Sequence, residues 1–266
     1  MSGTFLKLTT MPNWCANYLT IDCDEKTLND IKSKLEYAKS YSGSLGQLKK
    51  QHEKELSYIK SDDDRLRITS EYEIKKRKLE DAGVNDGEVL VFKTLVGLPP
   101  DVTKEQYDEN WYNINVDNYG TKWDVTYDEY NWDFDNGGIS VTMETAWSPP
   151  EGFCNMLMSQ YKGITLLELH YEEPGCDFCG KYTLDREAGE DEFNADDECY
   201  NYLEGLYKLD QVDMFWSEAE NYLDNDFDSV DDYIAMFGFL DENNDRDKVI
   251  INDLKQMYEE HFADAE

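Results

Sequence analysis

The sequence has no run approaching the roughly 18 apolar residues of a membrane-spanning helix, and no charged-then-apolar leader opens it. A soluble, cytosolic protein is the expectation that follows. Cations are scarce: 25 Lys and Arg stand against 59 Asp and Glu in 266 residues, a formal charge of −34. Binders of nucleic acid or anionic membrane need cations to neutralise phosphate, so direct contact with either is excluded and the natural partners are cationic. The six cysteines (Cys15, Cys23, Cys154, Cys176, Cys179, Cys199) are too dispersed for a disulfide scaffold and are expected to be reduced. The three histidines (His52, His170, His261) lie in different regions. GxSxG, a phosphate loop and HExxH are all missing, so no catalytic residue, cofactor or metal site is assigned and the protein is not expected to be an enzyme.

What is present is a core-forming unit over residues 137–184. Ile139, Val141 and Met143 alternate with Ser140, Thr142 and Glu144, the period-two pattern of a strand with one buried face. Ser148 and Pro149 predict a helix start, as N-cap and first helical residue. Phe153, Met156, Leu157 and Tyr161 give that helix an apolar side, Gly163 is placed to end it, and 164–171 follows as a second strand. Upstream, 14–21 reads as a strand and 22–24 as N-cap residues for a helix to about Tyr41, with Leu28, Ile31 and Leu35 as its buried stripe. Thirteen of the 25 basic residues lie between Lys32 and Ala82, against ten acidic ones. The segment 42–82 is read as an inserted helical hairpin turning at 61–64. Residues 88–92 read as a short strand, and Pro99 and Pro100 force the extended backbone of 95–102. The aromatics from Trp111 to Trp132 are read as sheet packing, with 120–124 a turn entering a strand and 132–139 a hairpin.

Two metal-like patterns are incomplete. Cys176 and Cys179 are half of a zinc knuckle without a second pair at ligand spacing. Asp241, Asn243 and Asp245 alternate as in a calcium loop, but Arg246 stands where the sharp turn needs Gly, and Asp253 lies one residue beyond the closing position.

From Asp185 onward the chain holds 27 acidic and five basic residues. Tyr200, Leu206, Phe215, Trp216, Tyr233, Phe237, Leu254 and Tyr258 are interleaved at helical intervals, so 186–266 reads as an acidic, mainly helical region with an aromatic core. Carboxylates fixed on a folded scaffold can imitate the charges of a nucleic-acid backbone. The residues assigned to such a surface are Asp224, Asp226, Asp228, Asp231 and Asp232, backed by Glu190, Asp191, Glu192, Asp196, Asp197 and Glu198. Tyr222, Phe227 and Tyr233 are the expected contact anchors.

Four motifs in order, 11–17 (MPNWCAN), 119–124 (YGTKWD), 145–150 (TAWSPP) and 172–180 (EEPGCDFCG), resemble the YubB-like family of phage and plasmid proteins. The resemblance covers 11–185 and implies an α+β, ferredoxin-like domain: an antiparallel sheet with helices on one face, here carrying the helical insert and extended by the acidic region. It also implies a mobile-element origin and so a bacterial host cytoplasm. The expected function is inhibition of a basic host protein, a nuclease or defence complex of restriction or CRISPR type, by nucleic-acid mimicry. The alternative is an acidic protein-interaction module with another target; an enzyme or calcium-binding protein stands behind both.

Overall fold

The computed structural model describes residues 13–41, 44–81, 84–85, 88–135, 137–187, 190–225, 227 and 229–263. They fall into two compact units. The first takes the residues up to Glu173 and Tyr182–Asp197; the second takes Pro174–Lys181 and those from Glu198 onward. Residues 186–197, grouped by sequence with the acidic region, therefore cluster with the first unit.

Strand β1 (Trp14–Cys23) buries Cys15, Asn17, Leu19, Ile21 and Cys23 and turns the alternate residues outward. Asp24 stops it: its carboxylate accepts the backbone N–H of Thr27 at 2.7 Å and starts α1 (Glu25–Tyr41), whose buried stripe is Ile31, Leu35 and Ala38. The expected hairpin follows as α2 (Ser44–Tyr58) and α3 (Asp62–Asp81), with His52 stacked on Tyr72 at 4.2 Å between ring centroids. A short ladder joins β2 (Val84–Asn85) to β3 (Glu88–Val89).

The next two elements correct the sequence reading. The apolar run at 88–92 leaves the strand after Val89 and becomes helix α4 (Val91–Val96). The cause is distant in sequence: the carboxylate of Asp124 accepts the N–H groups of Phe92 at 2.8 Å and Lys93 at 3.0 Å, capping a helix that local propensity does not favour. The aromatic stretch opens with a helix, α5 (Lys104–Tyr119), rather than sheet. Thr103 and Gln106 form a reciprocal capping box at its start. Gly120 ends it at φ +86°, and a Cβ there would stand 2.9 Å from the carbonyl oxygen of Pro149, so only glycine fits. Beyond it, 120–124 forms no strand; the one pairing nearby is a single bridge between Leu90 and Thr126.

The hairpin expected at 132–139 is β4 (Asp133–Asp135) and β5 (Gly138–Ala146). Helix α6 (Glu151–Gln160) and strand β6 (Ile164–Glu173) complete the central unit, with one adjustment at each end of the helix. Ser148 does not cap it; its hydroxyl donates to the carbonyl of Gly120 at 2.5 Å, and the helix begins after Pro150. The C-cap is Tyr161, ahead of Gly163. Strand β1 pairs antiparallel with β5 on one side and β6 on the other, so β5–α6–β6 is a split βαβ unit. Strands β7 (Phe178–Asp185) and β8 (Asn194–Tyr200) finish a six-stranded antiparallel sheet in the order β4-β5-β1-β6-β7-β8. β8 is a strand at the start of the region read as mainly helical, ahead of its four helices. Phe92 of α4 stacks on Phe153 of α6 at 4.2 Å, and Lys34 of α1 donates to the Tyr161 hydroxyl at 2.8 Å. The helical layer is thereby tied together over the buried face of an α+β, ferredoxin-like fold.

In the second unit α7 (Tyr202–Lys208), α8 (Val212–Tyr222), α9 (Val230–Ala235) and α10 (Asp245–Ala263) enclose a core that includes Leu206, Phe215, Tyr233, Phe237 and Leu254. The interleaved aromatics are its interior, as the helical spacing predicted. Among the described residues no helix is long and apolar enough to cross a membrane.

Candidate functional site

The carboxylates singled out by sequence fall in both units. Glu190, Asp191 and Glu192 lie on the approach to β8, and Asp196 and Asp197 on β8 itself, all exposed; Glu198 is half-buried. Asp191 pairs with Lys162 at 3.4 Å, and Asp197 accepts the Tyr171 hydroxyl at 3.2 Å. In the second unit Asp224, Asp231 and Asp232 are exposed, the last two on the first turn of α9, where Ser229 accepts the N–H of Asp232 at 3.2 Å. Asp226 and Asp228 lie outside the described residues. Tyr222 and Phe227 are half-buried. Tyr233 is 0% exposed and its hydroxyl donates to the carbonyl of Ala219 at 2.9 Å, which corrects its assignment as a contact anchor. A core side chain with a satisfied hydroxyl has no surface to offer a partner.

The sheet itself carries a carboxylate surface that the linear sequence does not reveal. Residues directly opposite one another in antiparallel strands share a face, so the register fixes what lies beside what. Asp133, Ser140, Thr20 and Glu168 form one row across β4, β5, β1 and β6 on the outward face. Asp135, Gly138, Asp22 and Leu166 form the next row on one side. On the other side lie Thr142, Tyr18 and His170, then Glu144, Ala16 and Glu172. Six carboxylates thus share this face, with Tyr18, 47% exposed, near its centre. They stand two to a row in three of these rows, the Tyr18 row holding none, and from Asp22 to Ala16 the strand rises about 20 Å.

A second arrangement involves carboxylates with altered proton affinity. Glu151, at the first turn of α6, is held above the ordinary carboxylate range by burial and by the charge of Asp197. Tyr171 donates to Asp197, and Tyr182 donates to Asn155 at 3.1 Å, so two phenols flank the pair. Asp197 is exposed, and water has free access to it. Asp124 is half-buried, and removal of its carboxyl from water pushes it up to about 6 while Phe92, Lys93 and Val125 donate backbone N–H groups to it.

The metal-like motifs are occupied by structural bonds. Cys179 is buried with its Sγ against the Tyr202 carbonyl at 3.3 Å, while Cys176 is exposed. Asp241 accepts the backbone N–H of Asn243 at 2.8 Å, and Asn244 accepts that of Arg246 at 2.9 Å, so this loop shapes the start of α10. Asp247 accepts the Tyr207 hydroxyl at 2.5 Å and the Asp241 N–H at 2.9 Å, bonds that hold its carboxyl below the usual range. Among the described residues no group of three or more His, Cys, Asp or Glu is placed to hold a metal ion.

Residues 106–216 match the family model described as the ferredoxin-like domain in Api92-like protein. Among solved structures, the Api92 protein from Yersinia pseudotuberculosis is similar over 66% of this chain and 95% of its own, at 10% identity and a TM-score of 0.38. No curated protein matches this chain. Neither match is to a known enzyme family, and the family that both name is Api92-like.

Proposed function

We propose that this chain, of phage or plasmid origin, is an inhibitor that presents carboxylates in place of nucleic-acid phosphates and occupies the basic groove of a host nuclease or defence complex. The observation that carries this reading is the outward face of the sheet, where hydrogen-bonded register spaces six carboxylates over about 20 Å. Phosphates contribute to affinity through the cations that meet them. A rigid array achieves the same without the ordering entropy that a disordered acidic tail would lose on binding. The exposed acids of β8 and of α9 extend the supply of charge, and Tyr18 offers an aromatic contact at the centre of the array.

The test is capture of partners on the full chain from bacterial lysate at low and high salt, with identification of what elutes and competition by duplex DNA. The expected partner is a nuclease or other nucleic-acid-binding complex, released by salt and displaced by DNA. Reversing Asp22, Asp133 and Glu144 to Lys is expected to abolish capture and leave the thermal transition in place, because all three side chains are exposed. A partner indifferent to salt and to DNA, or one that binds the triple variant unchanged, overturns the proposal.

A further inference from the structure

The second unit contains a cleft between α8 and α10 that the mimicry reading leaves unused. One end is an apolar cavity of about 330 Å³, walled by Val212, Phe215 and Trp216 from α8 and by Val249 and Ile250 from α10, with Arg246 at its edge. The other end, about 390 Å³, is lined by Glu220, Leu223, Asp253, Met257 and Glu260. Val212, Trp216, Glu220 and Leu223 follow one another at helical spacing on α8, as do Arg246, Val249, Asp253, Met257 and Glu260 on α10, so both ends lie along the same side of the helix pair. Tyr233 of α9, fully buried, ties the two helices together, donating to the Ala219 carbonyl on α8 and approaching the sulfur of Met257 on α10 at 3.8 Å. Val212 and Val249, 46% and 58% exposed, leave apolar surface at the mouth. From Val212 to Leu223 the groove runs eleven helical steps, about 16 Å, or three turns of a bound helix.

We infer that this groove docks an amphipathic, basic helix of a partner protein. The occupant follows from the lining. A helix laid in a groove is read at i, i+3, i+4 and i+7, and large apolar residues at one end of such a helix would enter the Val212–Trp216–Val249 cavity. Lys or Arg at its other end would meet Glu220, Asp253 and Glu260. Arg246, already bonded to Asp210 at 3.2 Å, is the guanidinium of the lining and sits at the apolar end, where it favours the helix C-terminus with its partial negative charge; the imidazole of His261 borders the acidic end. The groove therefore selects a direction as well as a charge. Nucleic acid is repelled by the three carboxylates at one end and offers no apolar ridge to fill the cavity. The inference stands apart from the sheet-face array, because none of these residues belongs to it.

The experiment is a fluorescence-anisotropy titration of the full chain with a labelled synthetic helix about 18 residues long. Its leucines follow the i, i+3, i+4, i+7 pattern and its lysines are concentrated toward the N-terminal end. An isomer of the same composition with leucines at alternate positions is the control. The helix is expected to bind at least about tenfold tighter than the isomer, and Val249→Glu to weaken it about tenfold. Asp253→Lys with Glu260→Lys should weaken it further and flatten its salt dependence. Val249 is exposed, so Val249→Glu is expected to keep the wild-type thermal transition; Val249→Ser, which adds no charge, serves if it does not. Equal binding of the isomer, or of the Val249 variants, overturns the inference by reducing the effect to unspecific charge attraction. A wild-type dimer in sedimentation that Val249→Glu converts to monomer overturns it too, by assigning the groove to a second copy of the chain.

Discussion

Replacement of Asp124 by Asn puts a number on the contact that turns an apolar run into a helix. The wild-type carboxylate accepts three backbone N–H groups, from Phe92, Lys93 and Val125, at 2.8, 3.0 and 2.8 Å. Asn keeps the shape and one acceptor oxygen, so about one N–H loses its partner, at about 1–2 kcal/mol. Asp124→Ala orphans all three and is expected to cost about 3 kcal/mol or more. The pH dependence separates the two forces on this group. Burial raises its folded-state value to about 6, above the ordinary 3.8, so the folded protein binds the proton more tightly than the unfolded chain. Its contribution to stability is then fully present below about 3.8 and is lost as pH rises through about 6. Between pH 7.5 and pH 5 the wild type should gain about 1.4 kcal/mol relative to Asp124→Asn, which has no proton to bind there. Urea unfolding of both proteins by circular dichroism at pH 7.5, 6.5, 5.5 and 5.0 gives the difference directly. A difference that stays flat or shrinks toward pH 5 refutes the reasoning, since the backbone hydrogen bonds to the ionised form would then outweigh its burial.

Arg186 is 3% exposed and donates to the carbonyls of Tyr161 and Ile164 at 3.1 Å each and to that of Met158, closing the C-terminal end of α6. Arg186→Met should lower the unfolding free energy by about 3 kcal/mol, with Lys restoring part of it, as read by urea titration. The formal charge of −34 makes self-repulsion general, so raising NaCl from about 20 to 300 mM should raise the thermal transition by several degrees as the Debye length contracts. An unchanged or falling transition in calorimetry would place the stabilising ion pairs ahead of the repulsion.

What the sequence made legible was whatever depended on near neighbours. The alternation in 137–146, the N-cap residues before α1, the hairpin of α2 and α3 and the aromatic spacing of the last four helices each lie within one element and its flanks. Helix α4 was hidden because its cap is supplied by Asp124, more than thirty residues downstream. Helix α5 had a legible start in Thr103 and Gln106, but the density of Trp and Tyr behind it suits a strand as well as a helix. Tyr233 failed as a surface residue for a similar reason: Asp231 and Asp232 mark an exposed face of α9, and the residue that follows them turns inward.

The sheet-face carboxylates illustrate the limit most directly, and they change what the charge implies. Counting along the chain draws attention to the stretch from Asp185 onward, where acids outnumber bases 27 to five. On the mimicry proposed above, the carboxylates must be held at fixed places on one face as well as be numerous, since each cation of the groove meets its partner where a phosphate would be. Asp22, Asp133, Glu144 and Glu168 come from four strands, and nothing in their sequence positions predicts that they share one face. Strand pairing supplies that spacing, and the inward alternation of Leu19, Val141 and Leu169 fixes the register, since a one-residue slip would bury the acids and expose the core. The hydrophobic pattern that folds the domain is thus also what sets the geometry of its charge.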